Sequence, residues 1–123
     1  MPYLMVALGG ALGALARYSL GGWLQQLIGG EFPYGTLAVN VVGSFLIAVV
    51  LQLSLERFLL SPEARLLLAT GFCGSLTTFS TFSYETLRLM QEQQWTAAGA
   101  NVALNVVLCL AAVYAGLVAG RLL

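Results

Sequence analysis

The sequence predicts an all-α membrane protein with four transmembrane helices, the third broken at mid-membrane, in one domain covering residues 1–123. Three observations predict it. First, 59% of the residues are hydrophobic and 8% are charged, with a mean hydropathy of +0.89, whereas a soluble domain carries roughly 25% charge. Second, four apolar stretches each reach the length of about 20 residues that crosses a bilayer core. Third, the run from Gly71 to Ser83, GFCGSLTTFSTFS, puts two glycines and six hydroxyl residues into thirteen positions of the third stretch. Lipid offers no hydrogen-bond partners, so polar, broken backbone at that depth is tolerated only where it is buried in protein or lines a wet cavity. The run therefore marks a place near the midplane where something small is bound or conducted.

The first span is expected from Tyr3 to Ile28. Its start, Met-Pro-Tyr-Leu-Met-Val, has no basic n-region, so it is read as a retained span, not a cleaved signal peptide. Gly29-Gly30-Glu31-Phe32-Pro33 makes a turn, and the second span is expected from Thr36 to Leu55. Thr36, Asn40 and Ser44 recur every four residues and share one helix face. The third span is expected from Glu63 to Met90, interrupted from Gly74 to Thr78. Its start, Ser61-Pro62-Glu63, has the form of an N-cap followed by proline at the first helical position. The fourth span is expected from Thr96 to Leu122 and repeats the amide pattern, with Asn101, Asn105 and Cys109 at i, i+4 and i+8. Such stripes serve either interhelical hydrogen bonding or a hydrated pathway. Two of them in one small chain favour the pathway.

The chain has five arginines, five glutamates and no His, Lys or Asp. Without histidine, composition speaks against zinc-type sites and rules out histidine proton relays. No Ser/His/Asp set, carboxylate pair within a span or phosphate loop is present, so the chain is not read as an enzyme, and nothing points to nucleic acid. Cys73 and Cys109, in apolar stretches, are read as reduced small side chains.

Four spans put both termini on one side, with Arg57, Arg65 and Arg121. The other side carries Arg17, near the end of the first span, and Arg88. Lys/Arg bias sets orientation, and here it is almost nil. Either the chain inserts both ways, or something other than loop charge orients it. Insertion both ways allows an antiparallel two-fold dimer, the oligomeric form of an inverted repeat. Gly9-x-x-x-Gly13, Gly116-x-x-x-Gly120 and Gly43-Ser44 permit close helix approach, either within one subunit or between two.

Around the break, exposed carbonyls suit a bare cation, and the N-terminus of the following half-helix suits an anion. Phe79 and Phe82 lie three residues apart just after it, and aromatic edges are electropositive. Ser80, Thr81 and Ser83 supply hydroxyl donors beside them. Glu85, about two turns on, is expected to pair with Arg88. Arg17 either snorkels or draws anions to a vestibule.

Gly71 to Ser83 followed by Glu85 resembles the signature of the Fluc (CrcB) fluoride channels. Gly35-Thr36-Leu37-Ala38-Val39-Asn40 and Gly10-x-x-Gly13-Ala14-x-x-Arg17-Tyr18 resemble that family's second-helix and first-helix motifs. The resemblance covers the whole chain. It implies a fluoride-selective channel that passively exports fluoride from the bacterial cytoplasm, lowering its toxicity. It also implies a multi-pass protein of the inner membrane bilayer, forming an antiparallel, dual-topology homodimer with two pathways. By the same resemblance, Phe79 and Phe82 present ring edges to fluoride and Asn40 bonds it. Ser80 and Thr81 line the track, joined by Thr36, Asn101, Asn105 and Cys109. Glu85 and Arg17 line or support the vestibules. The backbone carbonyls of Gly74 and Thr77, from both subunits, hold a central structural sodium ion. Two positions depart from the family pattern. Ser75 replaces the second glycine of a Gly-Gly pair, a strain if that position needs positive φ. Cys109 stands where serine is frequent, and its thiol is the weaker hydrogen-bonding group. The alternative reading is a proton-coupled exporter of the small multidrug type. It requires a membrane-embedded carboxylate, for which Glu85, close to the interface, is the one candidate.

Overall fold

The computed structural model describes residues 1–123 as four long helical spans joined by short turns, with no strand. Helix α1 is Pro2–Ile28 and α2 is Tyr34–Glu56. The third span, Pro62–Gln91, is split into α3 (residues 62–76) and α4 (Phe79–Gln91). Helix α5 is Trp95–Leu122. The bounds lie within two residues of those read from the sequence. Ser61 is the N-cap of α3, its Oγ accepting from Ala64 N–H at 3.1 Å, with Pro62 at the first helical position.

Three stretches widen to π-helical geometry: Arg17–Gly21, Gln52–Glu56 and Leu66–Cys73. A π turn inserts extra backbone into a helix and is frequent at functional sites. The first and third flank the break in the third span.

Close backbone approach sets the packing. A Cβ on Gly9 would overlap the Leu67 carbonyl, and one on Gly13 the Phe72 carbonyl, so α1 and α3 touch backbone to backbone. A Cβ on Gly116 would overlap the Phe45 carbonyl, and one on Gly120 would press on Gln52, so α5 lies as tightly against α2. Both small-residue pairs are thus used within the chain. Gly13→Ala is expected to lose about 1–3 kcal/mol to overpacking, read as a lower unfolding temperature in detergent. Unaltered unfolding would contradict the tight α1–α3 contact.

Each end of the bundle is tied down by polar side chains. Gln25 holds the α1–α2 turn, donating to the Phe32 carbonyl at 2.9 Å and accepting from Gly35 N–H at 3.0 Å. Glu31 accepts from Gln94, joining that turn to the α4–α5 turn. At the opposite end, Arg57 donates to the carbonyls of Gly120 and Arg121 at 3.1 and 2.9 Å. It closes the carboxyl end of α5, where a cation is favoured.

Only 11–28% of the most apolar stretch of each span is buried inside the chain. Leu4, Leu8, Leu12 and Leu15 of α1 and Val106, Val107 and Leu110 of α5 all point outward. Outward apolar faces of this extent fit a lipid surround. The protein is a multi-pass membrane protein.

Candidate functional site

The third span unwinds at two residues. Thr77 has φ/ψ −89/156 and Thr78 −151/122. The sequence places the break at Gly74 to Thr78, but Gly74 (−62/−32) remains helical. The extended pair falls on β-branched threonines, which suit that backbone. Thr78 then caps α4, its Oγ1 accepting from Thr81 N–H at 3.2 Å.

Asn40 of α2 grips the freed peptide from both sides. Its Oδ1 accepts from Thr78 N–H at 2.8 Å, and its Nδ2 donates to the Thr78 carbonyl at 3.2 Å. Nδ2 also donates to Asn105 Oδ1 at 3.1 Å. Asn105 Nδ2 in turn donates to the Oδ1 and carbonyl of Asn101 at 3.0 and 2.8 Å. Asn101 Nδ2 donates to Thr86 Oγ1 at 2.8 Å, and Thr86 donates to the Phe82 carbonyl at 2.8 Å. All four side chains are buried, Asn101 completely. The two amide stripes thus face each other across α2, α4 and α5, and their donors are taken up inside the protein. Asn101 lies behind Asn105, at the most enclosed point of the array.

Beside this array lies a cavity of about 320 Å³, walled by Asn40, Ser44, Gly74, Thr77, Phe79, Phe82, Asn105 and Cys109 among others. The Phe79 and Phe82 rings are 5.4 Å apart and tilted by 52°, an arrangement that turns ring edge toward ring face. Phe82 is buried, whereas Phe79 is 78% exposed on the single chain. Cys73 and Cys109 are free thiols on this wall. No arginine or glutamate reaches the cavity.

On the other side of Thr78 a second cavity, about 510 Å³, contains Arg17, Thr36 and Thr81. A third, about 350 Å³, shares Thr36 and opens among Glu31, Glu85, Arg88 and Glu92. Thr78 Oγ1 donates to Thr81 Oγ1 at 3.1 Å and lies 3.4 Å from Ser80 Oγ, so the three hydroxyls cluster where these cavities meet the break. The structure therefore brings together Thr36, Asn40, Phe79, Ser80, Thr81, Phe82, Asn105 and Cys109 around Thr78.

Two expectations are corrected. Arg17 is not at the end of the first span. The helix runs on through its π turn to Ile28, and the guanidinium Nε donates to the Ser75 carbonyl at 3.1 Å, bracing the break. Arg88 pairs with Glu92 at 3.6 Å, not with Glu85. The i,i+4 partner one turn on toward the interface wins, and Glu85 Oε1 stays buried and unpartnered.

Ser75 adopts ordinary helical backbone, since Phe58 and Gln93 are the only non-glycine residues with positive φ. The strain expected from its replacing glycine does not arise.

No cluster of His, Cys, Asp or Glu is arranged to hold a metal. A hard cation would have to use backbone oxygen. The break offers it. Thr78 N–H, the helical partner of the Gly74 carbonyl, goes to Asn40, and Thr81 N–H, the partner of the Thr77 carbonyl, goes to the Thr78 side chain. Gly74 is exposed on the single chain, and a Cβ there would meet nothing nearer than 3.8 Å. The residues at the break thus offer backbone oxygen, the donor type a hard cation takes.

Thr86 was not singled out from sequence. Its signal was available, because Phe82, Thr86 and Leu89 fall at i, i+4 and i+7 on the buried face of α4, and a hydroxyl in such a row needs a buried partner.

Residues 4–117 match the family model described as CrcB-like protein, Camphor Resistance (CrcB). A Geobacter metallireducens protein named fluoride-specific ion channel FluC is 51% identical over 116 residues, 94% of each chain. Proteins of the same name are 51% identical over 121 residues in Acidobacterium capsulatum (98% of this chain, 97% of the relative) and 52% over 113 in a Shewanella species (92% and 90%). Agreement this close over nearly the full length, with the broken third span and its asparagine clamp in place, means that the chain belongs to the CrcB family.

Proposed function

We propose that this chain is a fluoride-specific ion channel of the bacterial inner membrane, releasing fluoride passively from the cytoplasm. The observation that carries this reading is the uncharged cavity at the break, lined by tilted phenylalanines, hydroxyls and amides. The name of the relatives, fluoride-specific ion channel, agrees with it. Fluoride is small and strongly hydrated, so a pore must replace its water with several good donors. Hydroxyls and aromatic edges do this without a fixed cation that would trap the ion. Conduction needs binding strong enough to admit the ion and weak enough to release it. Thr36, Ser80 and Thr81 form the approach. Phe79, Phe82, Asn40, Asn105 and Cys109 form the inner passage, with Asn101 holding Asn105 from behind. Arg17 borders the approach beside the break, and Glu85 the cavity outside it.

The working unit in this reading is an antiparallel homodimer. The near-balance of arginines between the two sides, the exposed Phe79 and the exposed Gly74 support it. Phe79 then completes a site against the partner. The carbonyls of Gly74 and Thr77 from both copies hold sodium, whose charge ties the two broken helices together at the centre. Replacing sodium by N-methylglucamine is expected to lower the unfolding temperature of the purified dimer, with sodium restoring it and potassium failing to. Identical unfolding in all three salts would remove sodium from the assembly.

The direct test is anion efflux from liposomes containing the purified protein, with an ionophore holding the voltage. Fluoride is expected to leave while chloride stays. Equal loss of both anions, or of neither, overturns the assignment.

A further inference from the structure

The hydrogen bonds of the buried array all run one way. Each amide donates to the next residue along, from Asn40 to Asn105, to Asn101, to Thr86, and the last donor is the Thr86 hydroxyl. The series begins at the Thr78 N–H, which donates to Asn40 Oδ1, and ends on the carbonyl of Phe82; Asn40 Nδ2 also donates back to the Thr78 carbonyl. Thr86 is the joint between them, accepting from Asn101 at 2.8 Å and donating to Phe82 at 2.8 Å.

We infer that Thr86 is a positioning residue for conduction: it fixes Phe82 relative to the break by linking the Phe82 carbonyl to the Asn101–Asn105–Asn40 array. This rests on the fluoride-channel reading above. Three features carry it. The Thr86 hydroxyl is the one side-chain group bonded to both the Phe82 backbone and the array. A threonine hydroxyl on the carbonyl four residues back competes with the helix's own bond there, and here that carbonyl belongs to the residue that carries the cavity ring. The array has no slack, because Asn101 is completely buried and offers its Nδ2 no solvent. Losing the Thr86 acceptor forces Asn101 to turn, and Asn105 and Asn40 are bonded to it in series.

The test uses Thr86→Val, which keeps the shape and removes the hydroxyl, and Thr86→Ser, which keeps the hydroxyl. Thr86→Val is expected to lower fluoride efflux at least about tenfold and to narrow the fluoride-over-chloride ratio. Thr86→Ser is expected to restore both. Asn101→Ala combined with Thr86→Val is expected to be no worse than the poorer single variant, since both cut the same link. A second readout does not depend on conduction. The ring resonances of selectively labelled Phe82 are expected to shift in Thr86→Val and return in Thr86→Ser. If the wild type carries no fluoride, the channel reading fails, and the ring resonances still judge the link. Wild-type efflux and selectivity in Thr86→Val, or Phe82 resonances that ignore the substitution, overturn the inference. Should Thr86→Val not fold, failure of Thr86→Ser to match the wild type in efflux and ring resonances overturns it equally.

Discussion

Phe82→Ile and Phe79→Ile are each expected to reduce fluoride efflux by at least about tenfold, equivalent to ~1.4 kcal/mol on the barrier, while the protein still folds. The two positions separate chemistry from stability. Phe82 is buried beside the break, and isoleucine keeps the site apolar while removing some volume, a change expected to cost about 1–2 kcal/mol. Phe79 is mostly exposed on the single chain, so its substitution strains nothing within it. What both variants lose is the aromatic edge. The rings lie 5.4 Å apart and tilted by 52°, in contact with each other. Aliphatic carbon offers an anion no comparable positive rim. The measurement is fluoride efflux per folded protein, with size-exclusion elution as the folding control. Wild-type rates in both variants would remove the phenylalanines from the pathway.

Asn40→Ala is expected to have the larger effect on stability and to abolish conduction as well. It strands three groups at once: Thr78 N–H, the Thr78 carbonyl and Asn105 Oδ1. Interhelical hydrogen bonds in bilayers average only about 0.6 kcal/mol, because the separated helices find other partners. That average does not apply here. Thr78 N–H lies where the helix has already unwound, so its own helix offers that donor no substitute, and a buried unsatisfied polar group costs about 1–3 kcal/mol. We expect a loss of at least about 2 kcal/mol, read as a lower unfolding temperature, and no fluoride efflux. Asn40→Asp sharpens the result. Its carboxylate still accepts from Thr78 N–H but donates to neither remaining partner, and its charge opposes an anion. It should therefore also fail to conduct. An Asn40→Ala protein with ordinary stability and efflux would mean that the clamp neither holds the break nor serves the ion.

The spans were legible because a bilayer imposes one rule, that every backbone group be satisfied within a run of apolar residues. Composition and length were enough to find all four. The anomaly in the third span was legible for the same reason, since six hydroxyls and two glycines violate that rule. The uses of individual residues were less so. Asn40, Asn101 and Asn105 were identified as important from their spacing, but spacing gives a face and not a partner. The glycine pairs read equally well as contacts within a chain or between chains, and only the overlap of a Gly9 or Gly13 Cβ with α3 backbone decides for the former. The sequence places the break across Gly74 to Thr78, a range that starts at glycine, where the chain is most permissive. It is confined to Thr77 and Thr78, because Asn40 supplies a replacement partner at that point.

What the sequence determined by itself was the solvent of this protein, the number of its crossings, the span that carries the site and, through a long specific motif, its family. These follow from local pattern, which a chain carries wherever it folds. What only the tertiary structure decided was the pairing of polar groups: Arg17 with the Ser75 carbonyl, Arg88 with Glu92 and not Glu85, the asparagines with each other, and Thr86 with Phe82. Inside a membrane a buried polar group must find its partner within the protein. Which partner it finds depends on how helices distant in sequence pack, and that is settled by the backbone contacts at Gly13 and Gly116 that bring them within reach.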